Sequence, residues 1–215
     1  KDGNAYKRGI RLADRINSWL SSNNDPVQVH IGSDGDPFAS HVYRHFMENT
    51  PRTKDINYSI LTNGLMFKEF HPRIPHVMDN LTHLGVSIDG ASQGTYEKLR
   101  LGGKWSKILE GLQYIKELKS KKGFEFALHF VVQKQNYHEM EMIIELAHRY
   151  KADRLWLNKI EDWQVMDNWP TQDIFNRSHP EHEEFCQYLE KIKPLLDCKT
   201  EGLIVEAPRL YKAQK

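Results

Sequence analysis

The chain has 215 residues, of which 39% are hydrophobic and 27% are charged, and its formal net charge is +1. This composition is typical of a folded globular protein rather than a disordered one. The near-zero net charge excludes a whole-chain field that would attract nucleic acid or an anionic membrane. No apolar run approaches the roughly 20 residues of a membrane-spanning helix, and the first residues, KDGNAYKRGIR, lack the apolar segment of a signal peptide. We therefore expect a cytoplasmic protein that binds neither nucleic acid nor membrane.

The sequence contains two cysteines, Cys186 and Cys198. Two thiolates cannot form a metal-cluster motif on their own, so we expect no metal ligands in this chain. A disulfide between them is not expected either, because nothing marks the chain as secreted. The first residue is Lys rather than Met, which leads us to expect a further N-terminal part in the native protein.

Hydrophobic periodicity predicts strands that begin near residues 27, 56, 83, 124 and 154, each followed by a helix. A spacing of roughly 30 to 40 residues indicates βα units, whose right-handed crossovers place the strands parallel. A curved partial barrel and an open doubly wound sheet both fit this pattern. Because no linker rich in Pro, Gly or Ser divides the chain, we predict one domain over residues 1–215. Its βα repeats cover about 5–165, and a C-terminal loop and helix cover 166–215.

Capping residues and prolines predict several helix boundaries. Ser92 is a plausible N-cap, and Asn136 with Glu139 predicts a reciprocal pair at the start of the following helix. A last helix is expected to start near Ser178–Glu181. Further helices are predicted over 38–48 and, interrupted by two prolines, over 69–78.

Every predicted strand ends in polar residues, and parallel α/β folds bind ligands at the carboxyl ends of their strands. The five ends are Gly32–Asp36, Thr62–Gly64, Ser87 with Asp89, Gln133 with Asn136, and Asn158 with Asp162. We therefore predict a shared polar rim that forms a ligand site.

The separate signals leave alternatives open. Asp34 and Asp36 could hold the ammonium group of an amino-acid ligand, or belong to a glycine turn with solvated acids; the ligand series for calcium is missing. Asp89 could accept hydrogen bonds from ribose hydroxyls, or cap the next turn. The cluster of His179, His182 and Glu183 could bind a metal by helical spacing, or form a solvated first turn.

The segment Leu84–Arg100, LGVSIDGASQGTYEKLR, followed by Gly102 and Gly103, resembles the fourth βα unit of radical S-adenosylmethionine (radical SAM) enzymes. The resemblance implies an α/β fold of the partial (βα)6 TIM-barrel type that lacks its first strand here, with five parallel strands and outer helices. It also implies a site for S-adenosylmethionine (AdoMet) formed by the residues that match the family's motifs. These are Asp34, Gly35, Asp36 and Pro37 in the GGEP-like loop, Thr62 and Asn63 in the TNG motif, Ser87 and Asp89 near the methionyl carboxylate and ribose, Gln133 and Asn136 at the next strand end, and Leu157 and Asn158 near the adenine.

The family reaction is the reductive cleavage of AdoMet by a [4Fe-4S] cluster, which yields a 5′-deoxyadenosyl radical that abstracts hydrogen from the substrate. The resemblance implies this reaction on a small-molecule or peptide substrate, with a reductant protein as partner. The cluster needs three cysteines in a C-x3-C-x2-C loop, which this sequence lacks. We therefore expect the cluster in the full-length protein and expect this chain alone to be inactive.

Two alternatives remain open from the sequence. One is a degenerate, non-catalytic barrel that binds AdoMet or a nucleotide. The other is an unrelated TIM-barrel aldolase or isomerase, for which Lys159 is the candidate strand-end lysine.

Overall fold

A computed structural model describes residues 3–32, 35–53, 55–162, 164, 168–208 and 210. The chain forms two compact units. Unit 1 comprises Lys1–Val86 and Glu117–Glu125, and unit 2 comprises Ser87–Lys116 and Phe126–Lys215. Among the described residues, no helix is both long enough and apolar enough to cross a membrane.

Unit 1 alternates helices with parallel strands. Its elements are α1 (Gly3–Ser22), β1 (Val27–Ile31), α2 (His41–Asn49), β2 (Ile56–Thr62), α3 (Phe67–Phe70), a 3-10 turn (His71–Arg73), α4 (Pro75–Asp79) and β3 (Leu81–Ser87), whose last residue begins unit 2. β1 pairs with β2 and β2 pairs with β3, both in parallel. In β2, Ile56, Tyr58 and Ile60 are buried and alternate with more exposed residues, as expected for a strand with one face against helices.

Unit 2 continues the alternation of helices and strands. Its elements are α5 (Gln93–Leu99), α6 (Trp105–Lys122, which ends in unit 1), β4 (Glu125–Val132, which begins in unit 1), a 3-10 turn (Tyr137–Glu139), α7 (Met140–Arg149), β5 (Arg154–Lys159), α8 (Trp169–Gln172), α9 (His182–Ile192), a 3-10 turn (Lys193–Leu195), β6 (Lys199–Thr200) and β7 (Leu203–Glu206). β4 pairs with β5 and β5 with β7 in parallel, whereas the short β6 is antiparallel to β7.

The core of unit 2 follows from the period-two pattern of β4. Phe126, Leu128, Phe130 and Val132 are fully buried, whereas His129 and Val131 on the opposite face are partly exposed. One face of the strand therefore contributes to the core, and the opposite face is less buried at His129 and Val131. The predicted α/β class, with parallel strands and outer helices, is confirmed.

Several boundaries differ from the predictions. The helix predicted over 38–48 begins only at His41, because Ser40 is the N-cap and accepts a hydrogen bond from Tyr43 N–H. The helix predicted over 69–78 is broken into α3, a 3-10 turn and α4, since a proline stands in the first turn of each of the last two. The last helix begins at His182 without a side-chain cap, so the predicted capping by the Ser178–Glu181 segment is wrong.

Candidate functional site

The carboxyl end of β1 closely approaches the end of β2 at Gly32. Its φ is +98°, and a Cβ atom there would lie 2.1 Å from the Leu61 carbonyl oxygen. Only glycine allows this turn without displacing β2. Asp34 lies outside the described residues, so its expected role stays a prediction.

Asp36 joins the loop after β1 to the end of β2. One carboxylate oxygen accepts hydrogen bonds from Phe38 N–H (2.9 Å) and Ala39 N–H (3.1 Å). The other accepts from the Thr62 hydroxyl (2.6 Å) and Asn63 N–H (2.7 Å). A carboxylate has about four acceptor positions, so the side chain of Asp36 is fully used in shaping the loop.

The TNG turn after β2 is held by its own side chains. The Thr62 hydroxyl accepts from Gly64 N–H at 3.1 Å, and Asn63 Oδ1 accepts from Leu65 N–H at 3.0 Å. Gly35, by contrast, has a φ of +82° and no atom within 4 Å of the position that a Cβ would take. Gly35 is exposed whereas Pro37 is buried, so of these two residues Gly35 is the one whose backbone a ligand can approach.

Asp89 is the acidic side chain at the carboxyl end of β3 and belongs to unit 2. Its Oδ1 accepts from Val131 N–H at 2.9 Å, and its Oδ2 lies 2.7 Å from Arg100 Nη2. Burial raises the pKa of Asp89, although the Arg100 charge and the Val131 N–H oppose this shift. The side chain keeps 14% of its surface exposed, so it can still accept a hydrogen bond from a ligand.

Asn136 positions Asp89 rather than capping a helix. Its Nδ2 donates to the carbonyl oxygens of Asp89 (3.0 Å) and Val131 (2.8 Å), and its Oδ1 accepts from Gln133 N–H (2.8 Å). The side chain is fully buried and makes no capping bond. The predicted N-cap role of Asn136 is therefore wrong, because its Nδ2 and its Oδ1 both bind backbone groups at the strand ends.

Glu139 likewise contacts a distant segment instead of its own helix start. It is 4% exposed and accepts hydrogen bonds of 2.6 Å each from Ala91 N–H and the hydroxyls of Ser92 and Thr95. Burial favours a raised pKa, but the three donors outweigh it and lower the pKa of Glu139. Ser92 also caps α5 as predicted, since its hydroxyl accepts from Thr95 N–H. We call Ala91, Ser92, Thr95 and Glu139 the carboxylate clamp; it fixes the turn that follows Asp89.

The end of β5 completes the arrangement within unit 2. Leu157 is aligned with Phe130 and Asn158 with Val131, the residue whose N–H binds Asp89. Leu157 is fully buried and presents no surface to a ligand, so its expected place near the adenine stays a prediction, whereas Asn158 is partly exposed. The structure thus brings Asp89, Gln133, Asn136, Leu157 and Asn158 together at adjoining strand ends, with the partly exposed Ser87 at the end of β3.

The sequence predicts no ligand role for Arg100, Glu139, Gln172 or His129. Arg100 lies in the segment that carries the family resemblance, so a signal was available; Glu139 and Gln172 gave none. On the partly exposed face, His129 stacks against Trp156 with ring centroids 6.3 Å apart. Burial lowers the pKa of His129 to about 4, so this imidazole is neutral near pH 7.

Within the described ranges, no group of three or more His, Cys, Asp or Glu side chains could hold a metal ion. Cys186 Sγ lies 3.4 Å from His182 Nε2, and Cys198 Sγ donates to the Leu195 carbonyl at 3.2 Å. His182 Nδ1 donates to the Ile174 carbonyl, and His179 Nδ1 accepts from Glu181 N–H. These side chains therefore have structural partners instead of forming the hypothesised metal site.

Comparisons with solved structures show a common fold. The structure of SuiB from Streptococcus suis bound to S-adenosylmethionine aligns with a TM-score of 0.60 and 14% identity, covering 94% of this chain and 44% of that one. The structure of SuiB bound to its precursor peptide SuiA aligns with a TM-score of 0.57 and 15% identity, covering 87% of this chain and 40% of that one. The structure of anSMEcpe with bound AdoMet and the Kp18Cys peptide aligns with a TM-score of 0.55 and 13% identity, covering 91% of this chain and 54% of that one. The chain thus spans between two fifths and just over half of the length of these proteins.

The search of curated proteins finds no significant relative. The family model of the radical SAM superfamily matches residues 4–147, which is more than half of the chain. This match covers the loop after β1, the TNG turn, Asp89 and the carboxylate clamp. Together with the fold, it shows that the chain belongs to the radical SAM superfamily.

Proposed function

We propose that this chain is the AdoMet-binding core of a radical SAM enzyme. The observation that carries the proposal is Asp89, an acidic side chain held at adjoining strand ends with part of its surface open. An acidic residue in this position can accept hydrogen bonds from the two ribose hydroxyls. The family match and the AdoMet-bound neighbours of the same fold support this assignment.

We propose the roles of the strand-end residues for each unit by itself. In unit 1, the exposed backbone at Gly35 suits the methionyl ammonium group, with Asp36, Thr62 and Asn63 holding the loop in shape. In unit 2, Asp89 suits the ribose and Ser87 the methionyl carboxylate. The partly exposed Asn158, next to the buried Leu157, suits the adenine, while Gln133 and Asn136 hold the neighbouring strand end.

The chain does not fit a [4Fe-4S] cluster. Such a cluster, when bound with AdoMet, supplies the reductive cleavage that yields a 5′-deoxyadenosyl radical. Three thiolates are needed to hold it in this family, whereas this chain has Cys186 and Cys198 alone. The role proposed for the strand-end residues is therefore to bind and orient AdoMet, and we expect this chain alone to be inactive.

The substrate class, the partner and the location are proposed from the same family. SuiB and anSMEcpe have each been solved with a peptide, which supports a peptide or a small molecule as the substrate class here. The reductive cleavage consumes an electron, so we propose a reductant protein as partner. We also propose a cytoplasmic location.

Calorimetric titration with AdoMet tests the proposal. We expect the wild-type chain to bind one AdoMet and Asp89→Asn to bind at least about tenfold more weakly, since a hydrogen bond to a charged group contributes about 1.5–3 kcal/mol. Asp36→Ala should also weaken binding because the loop loses its four-bond anchor. Asp25→Asn, at an exposed acid just before the start of β1, is the matched control and should bind like wild type. Unchanged affinity in both Asp89→Asn and Asp36→Ala would overturn the assignment.

A further inference from the structure

Two aromatic side chains lie side by side on the less buried face of the sheet in unit 2. His129 on β4 is aligned with Trp156 on β5, and both residues are partly exposed. Their rings are nearly parallel, with 17° between the planes and 6.3 Å between the centroids. Two residues further along the same strands, Val131 is aligned with Asn158, and the Val131 N–H binds Asp89. Since each strand residue rises by about 3.3 Å, the aromatic pair lies about 7 Å along the strands from this contact.

The nitrogen atoms of both rings lack a hydrogen-bond partner. Neither the ring nitrogens of His129 nor Trp156 Nε1 bonds to a residue in the part of the chain that the structure describes. None of these atoms is sealed from solvent, so each is open to a partner from outside. Indole N–H groups and imidazole nitrogens that are largely buried usually have a hydrogen-bond partner. A ligand on this face of the sheet would supply one.

The charges around the pair favour an uncharged ligand group. Glu206 on β7 is aligned with Trp156, and its carboxylate pairs with Arg154 on β5, so these two charges offset each other. Burial lowers the pKa of His129 to about 4, so near pH 7 the imidazole is neutral and one of its nitrogens accepts a hydrogen bond. The pair therefore offers a donor on Trp156 and an acceptor on His129.

We propose that His129 and Trp156 bind the backbone of a peptide substrate. One residue of an extended peptide presents its N–H and its C=O on the same edge, as it does when strands pair. The C=O accepts from Trp156 Nε1–H, and the N–H donates to the unprotonated nitrogen of His129. This inference rests on the proposed function and narrows its substrate class to a peptide. It holds the peptide beside the proposed AdoMet site, as hydrogen abstraction from the substrate requires.

A matched pair of probes tests the proposal. N-acetylglycine N-methylamide contains one residue with both backbone groups, and acetylglycolic acid N-methylamide has an ester oxygen in place of that N–H. Each is titrated by NMR into the wild-type chain in the presence of AdoMet. The amide should move the Trp156 Nε1–H signal downfield to saturation, because the indole gains an acceptor. It should also bind about threefold to tenfold more tightly than the ester, which lacks the donor to His129.

Variants then assign the two contacts, with affinities taken from the backbone amide signals of β4 and β5. His129→Leu should remove the difference between the amide and the ester, since the acceptor is gone. Trp156→Phe keeps an aromatic ring without the N–H and should weaken both probes about threefold to tenfold. Trp19→Phe, at an exposed tryptophan on α1, is the matched control and should bind both probes like wild type.

Equal affinity of the wild-type chain for amide and ester, or a Trp156 Nε1–H signal that does not respond to the amide, would overturn the proposal without any variant. If His129→Leu or Trp156→Phe loses affinity for AdoMet while the binding of both probes is unchanged, the pair belongs to the nucleoside site and the proposal is wrong. If the probes bind as expected but calorimetry detects no AdoMet binding, the proposed function fails while the peptide contact stands.

Discussion

Replacing Glu139 tests whether the carboxylate clamp holds the turn after Asp89. The carboxylate accepts three hydrogen bonds of 2.6 Å, and one of the donors, Ala91 N–H, belongs to a buried backbone group that cannot rotate away. Hydrogen bonds to a charged group contribute about 1.5–3 kcal/mol each, and an orphaned buried donor costs about 1–3 kcal/mol. Replacing Glu139 by Ala also removes the cost of burying a charged carboxylate, which offsets part of this loss. We therefore expect Glu139→Ala to lower the free energy of unfolding by about 3–4 kcal/mol.

Glu139→Gln should lower the free energy of unfolding by only about 1–2 kcal/mol, because most of the hydrogen bonds can be kept. The remaining oxygen can still accept from Ala91 N–H, and the hydroxyls of Ser92 and Thr95 can rotate to accept from the new amide. Urea unfolding followed by circular dichroism measures both losses. Glu145→Gln, at an exposed acid on α7, the helix that follows Glu139, should stay within about 0.5 kcal/mol of wild type.

The pH dependence gives an independent check on the clamp. Because the folded-state pKa of Glu139 is lowered, its contribution is present above its ordinary pKa of 4.5 and is lost as the pH falls through the lowered value. The gap between wild type and Glu139→Ala should therefore be constant above pH 4.5 and shrink below it. A loss under about 1 kcal/mol in Glu139→Ala, or a gap that widens in acid, would refute the clamp.

Two further predictions concern the turn after Asp89 and the cysteines. A Cβ at Gly90 would lie 2.5 Å from Tyr96 N, whereas one at Gly94 meets no atom within 4 Å. Gly90→Ala should therefore destabilise the protein by about 1–3 kcal/mol, and Gly94→Ala, within α5, should stabilise it by about 0.5–1 kcal/mol; urea unfolding that gives both the same sign would contradict this geometry. Iron reconstitution of this chain should give no stable brown chromophore and no AdoMet cleavage with dithionite, and a cluster held by Cys186 and Cys198 would contradict our account of the ligands.

Much of the fold was predictable because it follows from short-range patterns. The alternation of large apolar residues along Phe124–Val132 predicts β4, and polar residues after each strand predict which edge carries the site. The short β6 and β7 were missed. Leu203–Glu206 is a four-residue strand without a following helix, so the βα pattern does not mark it.

The roles of individual polar side chains were less predictable, since their partners are distant in sequence. The pattern of Asn136 and Glu139 indicates a local capping pair, yet Glu139 binds donors 44 to 48 residues away. Asp36 similarly takes Thr62, 26 residues away, as a donor, so its side chain shapes the loop. The loop around Gln172 showed no periodicity that would predict its burial. Such tertiary hydrogen bonds override local signals and cannot be deduced from spacing alone.

The central claim is that this radical SAM chain binds AdoMet at its strand ends, and a crystal structure of the chain grown with S-adenosylhomocysteine tests it most directly. Our account predicts the ribose hydroxyls within hydrogen-bond distance of Asp89 and the adenine beside Asn158. Density for the nucleoside at another surface, with Asp89 contacting only Arg100 and Val131, would contradict it.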